Sequence, residues 1–406
     1  MSVITLNVSR TVEKAAGIAE QAASGVDQNN LGRYDAHDPF GTLFTYVEGT
    51  PMMRNKLVPA IIVLLGPLWI GCSPQKGPPI IRKSAADGGP EDPAILVVEN
   101  LGGSCFRQQW VKETLVEEDR FWLQEAEGNP VICVCIDECH DPDTLLAHLQ
   151  KLPHLQDLCI RRTPLTDEHA KVIGSLRELR CLRLEDTRIT STGLRSVAAL
   201  SRLQHLNFSF NDTSDDGLRE LATLRELQVL YVGGTKITDA GLRHIGALEH
   251  LRRLHVWGSC VTDKGLQELV GLKDLTELNL GQSKVSGPGL KHIGEMKSLA
   301  SLTLSATPMS SSHFTHLRSL SRLRELHLAY AESVNDEGLE ALASLPQMEE
   351  LDLSNTAVTD VGLRKLAPST SLRSITVRET KVTPAGITRF RRHNERCTVV
   401  LHSDSW

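Results

Sequence analysis

Apolar and polar positions recur along most of this chain with a period of 24 residues, from about residue 131 almost to the C-terminus. The fullest form of the recurring phrase is L-x-x-L-x-L-x-x-T-x-[IV]-T-D-x-G-L-x-x-[LI]-x-x-L. In its first half apolar residues alternate as they do on one side of a β-strand, and in its second half they have the spacing of one helix face. Each copy therefore predicts one short strand followed by one short helix.

Eleven copies can be aligned, and an extra residue near Ser333 makes the ninth copy 25 residues long. The copies begin at Val131, Leu155, Leu179, Leu203, Leu227, Leu251, Leu275, Leu299, Leu323, Met348 and Leu372. One copy has too few apolar side chains to offset the conformational entropy that its backbone loses on folding. Stability is therefore expected to belong to the stacked array.

The polar positions of each copy predict how its helix begins. In the copy that starts at Leu227, Thr238 stands where a helix N-cap belongs, and the carboxylate of Asp239 is placed to favour the positive end of the helix. A glycine precedes the first helix leucine in eight copies, and a glycine inside a helix is costly unless backbones approach closely there. These glycines are Gly193, Gly217, Gly241, Gly265, Gly289, Gly338, Gly362 and Gly386.

This phrase resembles the leucine-rich repeat, in the T-x-[IV]-T-D-x-G-L form of bacterial leucine-rich-repeat proteins. The resemblance covers residues 131–395 and implies an α/β solenoid. Such a solenoid is a curved horseshoe with parallel strands on its concave face and short helices on its convex face. Many of these proteins are exported and lipid- or membrane-anchored. The resemblance further implies protein recognition on the concave sheet and brings no catalytic residues with it.

The two ends of the array are expected to be covered. Residues 94–130 do not follow the phrase and predict an N-terminal cap with four aromatic residues among charges. These aromatics are Phe106, Trp110, Phe121 and Trp122. Residues 396–406 predict a closing strand and tail, because Val399 follows Ile375 by one repeat length.

The N-terminal region predicts an export signal. Residues 52–72 place a basic segment before an apolar one and end at Gly71-Cys72, which resembles a bacterial lipoprotein signal although Trp69 departs from the leucine usual there. The resemblance implies lipidation of Cys72, with residues 73–93 as a flexible tether. Residues 1–51 then form a poorly structured leader or precede the true translation start. The alternative is a membrane anchor formed by residues 57–71.

The charge balance excludes one class of partner. The chain has 44 basic and 50 acidic side chains, a formal charge of -6, and no basic block interleaved with aromatics. Nucleic acid is therefore not expected to bind.

The predicted concave face carries a candidate protein-binding patch. Strand positions three, five and seven of each copy should point outward, since side chains alternate along a strand. Only 17 of the 406 residues are aromatic, so exposed Tyr231 and Trp257 in adjacent copies suggest binding hot spots. The candidate binding residues are His205, Asn207, Phe210, Tyr231, Arg253, His255, Trp257, Asn279 and Tyr330.

Cysteines cluster on the same predicted face in the first three copies. Cys133, Cys135, Cys159 and Cys181 take outward positions, and Cys135 lies beside Cys159 on the neighbouring strand. They can be free or disulfide-paired. A metal is not predicted, because the spacing is not that of a zinc site and a flat sheet does not enclose an ion.

An enzyme is the least favoured interpretation. It would need a thiolate in this cysteine cluster, stabilised by Arg161, Arg162 or Arg183 and assisted by a general base. The sequence has no such base beside the thiols and none of the common catalytic or phosphate-binding motifs.

The sequence thus predicts a non-catalytic, monomeric binding scaffold in the cell envelope, without cofactor, which binds a protein or another envelope component. The alternative is a cytoplasmic adaptor that recruits a protein substrate to an enzyme complex.

Overall fold

The computed structural model describes residues 93–108 and 130–401. The predicted leader, signal, lipidation site Cys72 and tether up to residue 92 lie outside the described residues, and so do Trp110, Phe121 and Trp122.

The described residues form one open sheet of thirteen strands, arranged in the order of the sequence. Strand β1 runs antiparallel to β2, and every later pair of neighbours is parallel. The strands are β1 (Ser104–Arg107), β2 (Val131–Asp137), β3 (Asp157–Arg161), β4 (Cys181–Arg183), β5 (His205–Asn207), β6 (Val229–Tyr231), β7 (Arg253–His255), β8 (Glu277–Asn279), β9 (Ser301–Thr303), β10 (Glu325–His327), β11 (Glu350–Asp352), β12 (Ser374–Thr376) and β13 (Thr398–Val400).

A short helix follows each strand from β2 to β12, and α1 precedes β1. The α-helices are α1 (Pro93–Asn100), α2 (Pro142–Leu149), α3 (Asp167–Ile173), α4 (Ser191–Val197), α5 (Asp215–Leu221), α6 (Asp239–Ile245), α7 (Leu290–Ile293), α8 (Leu339–Ala343), α9 (Asp360–Leu366) and α10 (Pro384–His393). Residues Gly265–Leu269 and Ser311–Ser319 form 3₁₀ helices instead. Within the described part of the chain, every helix is too short or too polar to cross a membrane.

Strands and helices bury their apolar residues in one continuous core. Leu206, Leu230 and Leu254 pair in register on neighbouring strands and are fully buried. Leu242 and Ile245 reach the same core from α6. The predicted solenoid of parallel strands alternating with short helices is confirmed.

The repeats are also joined by a ladder of polar contacts at the helix starts. Asp239 accepts hydrogen bonds from the backbone N–H of Thr262 at 2.8 Å and from its hydroxyl at 2.7 Å, one repeat later. The aspartate was predicted to act on its own helix, whereas its partners lie in the next repeat. The same pairing occurs in Asp167–Thr190, Asp215–Thr238, Asp263–Ser286, Asp336–Thr359 and Asp360–Thr383.

This ladder explains the glycine before the helix leucine. A Cβ atom on Gly265 would lie 2.5 Å from the Asp239 carboxylate, which leaves no space for a side chain. One of the three copies without this glycine agrees with this reason, because the copy before it, which starts at Leu275, has Gly287 in place of the aspartate. His313 then takes the glycine position in the next copy, and its ring occupies the space beside Gly287.

Candidate protein-binding face

The outward side chains of the parallel strands form a surface that we call the sheet face. It consists of the residues at positions three, five and seven of each repeat, which pair in register across neighbouring strands. Positions four and six point to the core, as Leu206 and Phe208 show by their complete burial. The structure therefore places the candidate residues of strands β5 to β8 on one side of the sheet.

A column of rings crosses the centre of this face. His205 packs edge-on against Tyr231 with ring centroids 5.4 Å apart, and Tyr231 stacks on His255 at 4.0 Å. The expectation that Tyr231 is exposed is wrong, since only 8% of it is accessible. The reason is that parallel strands lie only about 4.8 Å apart, so large side chains in register cover one another. Asn207 and Asn279 are buried in the same way.

Burial changes the chemistry of His205. Loss of solvent, together with the positive charges of Arg183, Arg253 and His255, lowers the pKa of His205 to about 3. Its imidazole is therefore neutral at physiological pH.

A second aromatic pair lies at the C-terminal end of the strands and remains accessible. Phe210 packs edge-on against Trp257 with ring centroids 5.0 Å apart, and 52% of Phe210 is exposed. The Trp257 indole lies against Gly233, where any Cβ atom would clash with the ring, and Phe210 lies against Gly234. The consecutive glycines thus create the space for both rings. This role of the two glycines is not predicted above, although two adjacent glycines at the end of a strand could have indicated it.

Phe210 and Tyr330 occupy the same position in their repeats, just after the strand. The backbone there has positive φ, 61° at Phe210 and 60° at Tyr330. Residues of ordinary chirality rarely adopt this conformation, and here it turns the side chains away from the core. Tyr330 is 46% exposed but lies five repeats from Phe210, so it does not join the aromatic pair.

Glu277 contacts two other polar side chains of the sheet face. His255 Nε2 lies 2.6 Å from Glu277 Oε1, and Arg253 Nε lies 3.5 Å from Glu277 Oε2. Burial alone would raise the pKa of Glu277, but the hydrogen bond with His255 and the charges of His255 and Arg253 lower it below its ordinary value. The carboxylate thereby holds the side chains of His255 and Arg253 in one arrangement.

The cysteine cluster lies where it was predicted, beside the edge strand β1. Cys135 pairs in register with Cys159, and the sulfurs of Cys133 and Cys135 are 3.9 Å apart. All four cysteines of the cluster are free thiols. Among residues 93–108 and 130–401, no group of three His, Cys, Asp or Glu side chains is arranged to hold a metal ion.

The surroundings of these thiols oppose ionisation. The hydrogen bond with Cys135 lowers the pKa of Cys133, but burial and the charge of Asp157 outweigh it and raise the pKa to about 11. Burial likewise raises the pKa of Cys181. Arg183 pairs with Asp157 at 2.9 Å, and although its charge lowers the pKa of the neighbouring thiols, burial and other neighbouring groups keep these pKa values above the ordinary range.

The enzyme interpretation also involves Arg161 and Arg162, and both pair with acidic residues. Arg161 lies 3.4 Å from Asp137, and Arg162 lies 3.1 Å from Glu138. These ion pairs are exposed and do not activate a nucleophile.

Comparison with known families agrees with the repeat architecture. A family model for a leucine-rich repeat region matches residues 133–269, and one for the leucine-rich repeat matches residues 313–343 and 345–367. The chain has the leucine-rich-repeat fold. Leucine-rich-repeat domains generally mediate protein–protein interaction and are typically non-catalytic.

Two solved structures are similar to this chain. An internalin from Listeria monocytogenes is 16% identical, with a TM-score of 0.46, and the match covers 70% of this leucine-rich-repeat chain and 94% of the internalin. A TDR receptor is 19% identical, with a TM-score of 0.44, and the match covers 63% of this chain and 44% of the receptor chain. A search of curated protein sequences found no significant match.

Proposed function

We propose that this leucine-rich-repeat protein is a non-catalytic scaffold that recognises a protein partner through the sheet face. The observation that carries the proposal is the accessible Phe210–Trp257 pair, held 5.0 Å apart on a face that is otherwise closely packed. Aromatic and arginine side chains are the residues that most often dominate binding energy at protein interfaces. His255 and Arg253, one and two outward strand positions before Trp257 on the same face, complete the patch.

The patch is supported by its rigidity as well as its composition. Gly233 and Gly234 leave Trp257 and Phe210 packed against backbone, and Glu277 holds Arg253 and His255. Side chains that are already ordered lose little entropy when a partner binds. A partner would therefore meet a surface whose shape is set before binding.

Site-specific crosslinking followed by affinity measurement tests this proposal. A photoreactive amino acid replaces Phe210 in the full chain, and crosslinked proteins from the native host are identified by mass spectrometry. The same probe at Val361, an exposed apolar residue of α9, is the matched control. A partner captured at residue 210 and absent at residue 361 is expected.

The affinity of that partner is then measured for Trp257→Ala and Phe210→Ala. Each change is expected to weaken binding by about thirty-fold, the loss typical of a hot-spot residue, whereas Val361→Ala leaves the affinity unchanged. Equal affinity for all three variants and the parent protein would refute the sheet face as the binding surface.

We further propose that the scaffold is exported and tethered to a membrane through a lipid on Cys72. The support is the resemblance of residues 52–72 to a lipoprotein signal. Mass spectrometry of the N-terminal peptide of the membrane-associated protein tests this proposal. An acylated Cys72 as first residue is expected, whereas an unprocessed N-terminus would refute it and favour the cytoplasmic adaptor or the anchor of residues 57–71.

A further inference from the structure

A basic cavity opens at the edge where strands β7 to β10 begin. Its volume is about 390 Å³, and its charged lining consists of the cations Arg252, Arg253, Lys273 and Arg322 and the single carboxylate Asp274. The chain as a whole has a formal charge of -6. Four cations therefore line one cavity of a chain whose overall charge is negative. Their proximity concentrates positive electrostatic potential in the cavity.

Most of these cations have no carboxylate partner among the residues that the structure describes. Arg253 is paired with Glu277 at 3.5 Å. Lys273 donates a hydrogen bond to the carbonyl oxygen of Val270. Among the ion pairs of residues 93–108 and 130–401, none involves Arg252, Lys273 or Arg322. The cavity therefore contains cationic groups whose charge the surrounding structure does not neutralise.

Three other arginines along the same edge are neutralised by glutamates. Arg202 pairs with Glu178 of the preceding repeat at 2.7 Å. Arg324 and Arg373 both pair with Glu349, at 4.0 and 3.6 Å.

The cavity differs from its flanks because neutral residues replace these carboxylates. The residue one repeat before Arg252 is Gln228, and the residue one repeat before Arg322 is Ser298.

The cavity is continuous with the proposed binding patch. Arg253 lines the cavity and begins β7, whose outward residues lead through His255 to Trp257. The five residue steps from Arg252 to Trp257 span roughly 16 Å at the rise of a strand. One extended segment of a partner can therefore contact the cavity and the aromatic pair together.

The distance between the cations along the sheet edge indicates which kind of anion fits the cavity. Arg252 lies at the start of β7 and Arg322 just before β10, so about three strand spacings, roughly 14 Å, separate their backbones. A row of cations spread over four strands matches several carboxylates along an extended peptide. Guanidinium groups also bind carboxylates in a paired, two-bond geometry.

We infer that the cavity binds an acidic peptide segment of the protein partner, with a large apolar residue about five residues from the acidic cluster. This inference rests on the proposed function, because the apolar residue would pack on Phe210 and Trp257. The acidic cluster would neutralise Arg252, Lys273 and Arg322.

Fluorescence anisotropy with designed probe peptides tests the inference. The first probe has four glutamates, a Gly/Ser spacer of four residues and a terminal phenylalanine, and it is made in both chain orders. The second probe has glutamine in place of each glutamate. The glutamate probe is expected to bind in at least one order about thirty-fold more tightly than the glutamine probe, as charge-assisted pairing implies, and salt is expected to weaken it.

Charge reversal assigns that binding to the cavity. Arg252→Glu with Arg322→Glu is expected to remove the preference for the glutamate probe. The matched control is Arg243→Glu with Arg364→Glu, two exposed arginines of α6 and α9 that carry the same change of charge. The control is expected to retain the preference, and equal thermal midpoints show that both pairs fold.

The remaining outcomes separate the inference from the function it rests on. Equal binding of the two probes, or equal loss in both double variants, would overturn the acidic-peptide site. Binding to phosphatidylglycerol vesicles, lost on reversal of Arg252 and Arg322 while the peptides do not bind, would overturn it in favour of a lipid headgroup. If reversal leaves the crosslinked partner bound while Trp257→Ala releases it, the inference fails and the proposed function stands.

Discussion

Single residues on the sheet face are governed by the short distance between parallel strands. Tyr231 is not exposed as its outward position predicts, because His205 and His255 cover it on both sides. Trp257 is only partly buried because Gly233, at the same position of the preceding repeat, has no side chain to cover it. The identity of the neighbour in the next repeat thus decides whether an outward aromatic is a surface residue.

His205 is expected to make stability depend on pH. Its pKa is about 3 in the folded protein against an ordinary value of 6.5, so the unfolded chain binds the proton more readily. The neutral imidazole's contribution to the free energy of unfolding is complete above pH 6.5 and decreases as the pH falls toward 3. In total it is on the order of 4 kcal/mol.

Denaturant unfolding at pH 7 and pH 4.5 checks this dependence. His205→Asn is expected to lose less stability between the two values than the parent protein does, even if the variant is less stable at both. His250→Asn, at an exposed histidine, serves as control. If His205→Asn shows the parent's full loss on acidification, the neutral buried imidazole is not its source.

Thiol reactivity is expected to differ sharply between cysteines of the folded protein. Cys133, Cys159 and Cys181 are buried, and their raised pKa values keep them protonated. Cys260 is exposed. Alkylation of native protein followed by peptide mass spectrometry is expected to label Cys260 first, because only an accessible thiolate reacts quickly. Rapid labelling of Cys133 or Cys159 would revive the enzyme interpretation.

At the scale of elements, each helix start is shaped by the repeat before it. The carboxylate of Asp239 needs the space beside Gly265 to reach Thr262. Gly265→Ala is therefore expected to destabilise the protein by about 1 to 3 kcal/mol, the usual cost of overpacking, although alanine is otherwise the better helix former.

A double-mutant cycle separates this steric cause from helix propensity. Asp239→Ala alone removes two hydrogen bonds and should cost about 1 to 3 kcal/mol. With Asp239→Ala already present, Gly265→Ala should cost far less than in the parent protein, because the clash is gone. Gly271→Ala, where no atom lies within 4 Å of the added carbon, is the control. Additive effects in the cycle would contradict the proposed clash.

At the scale of the whole molecule, stability is expected to vary along the array. A central strand such as β7 pairs with a neighbour on each side, whereas β13 pairs with β12 alone among the described residues. In a solenoid each repeat is stabilised by its neighbours. Backbone amides of β7 and β8 are thus expected to exchange with deuterium more slowly than those of β13. Uniform exchange would instead indicate one cooperative unit.

The sequence by itself determined the fold and the side of the sheet to which each strand side chain points. The alternation of Leu203, Leu206 and Phe208 with His205, Asn207 and Ser209 predicts which side chains point outward, because this is a local property of an extended backbone. Thr238 and its equivalents predict helix starts for the same local reason.

Only the tertiary structure decided which outward residues form a surface and which polar groups pair. The covering of Tyr231, the partner of Asp239 in the next repeat and the unneutralised charge around Arg252 all depend on residues one or more repeats away. Such contacts follow from distances of a few ångströms across strands, which a pattern along one chain does not contain. The local pattern therefore fixed the direction of each side chain, and packing between repeats fixed what it contacts.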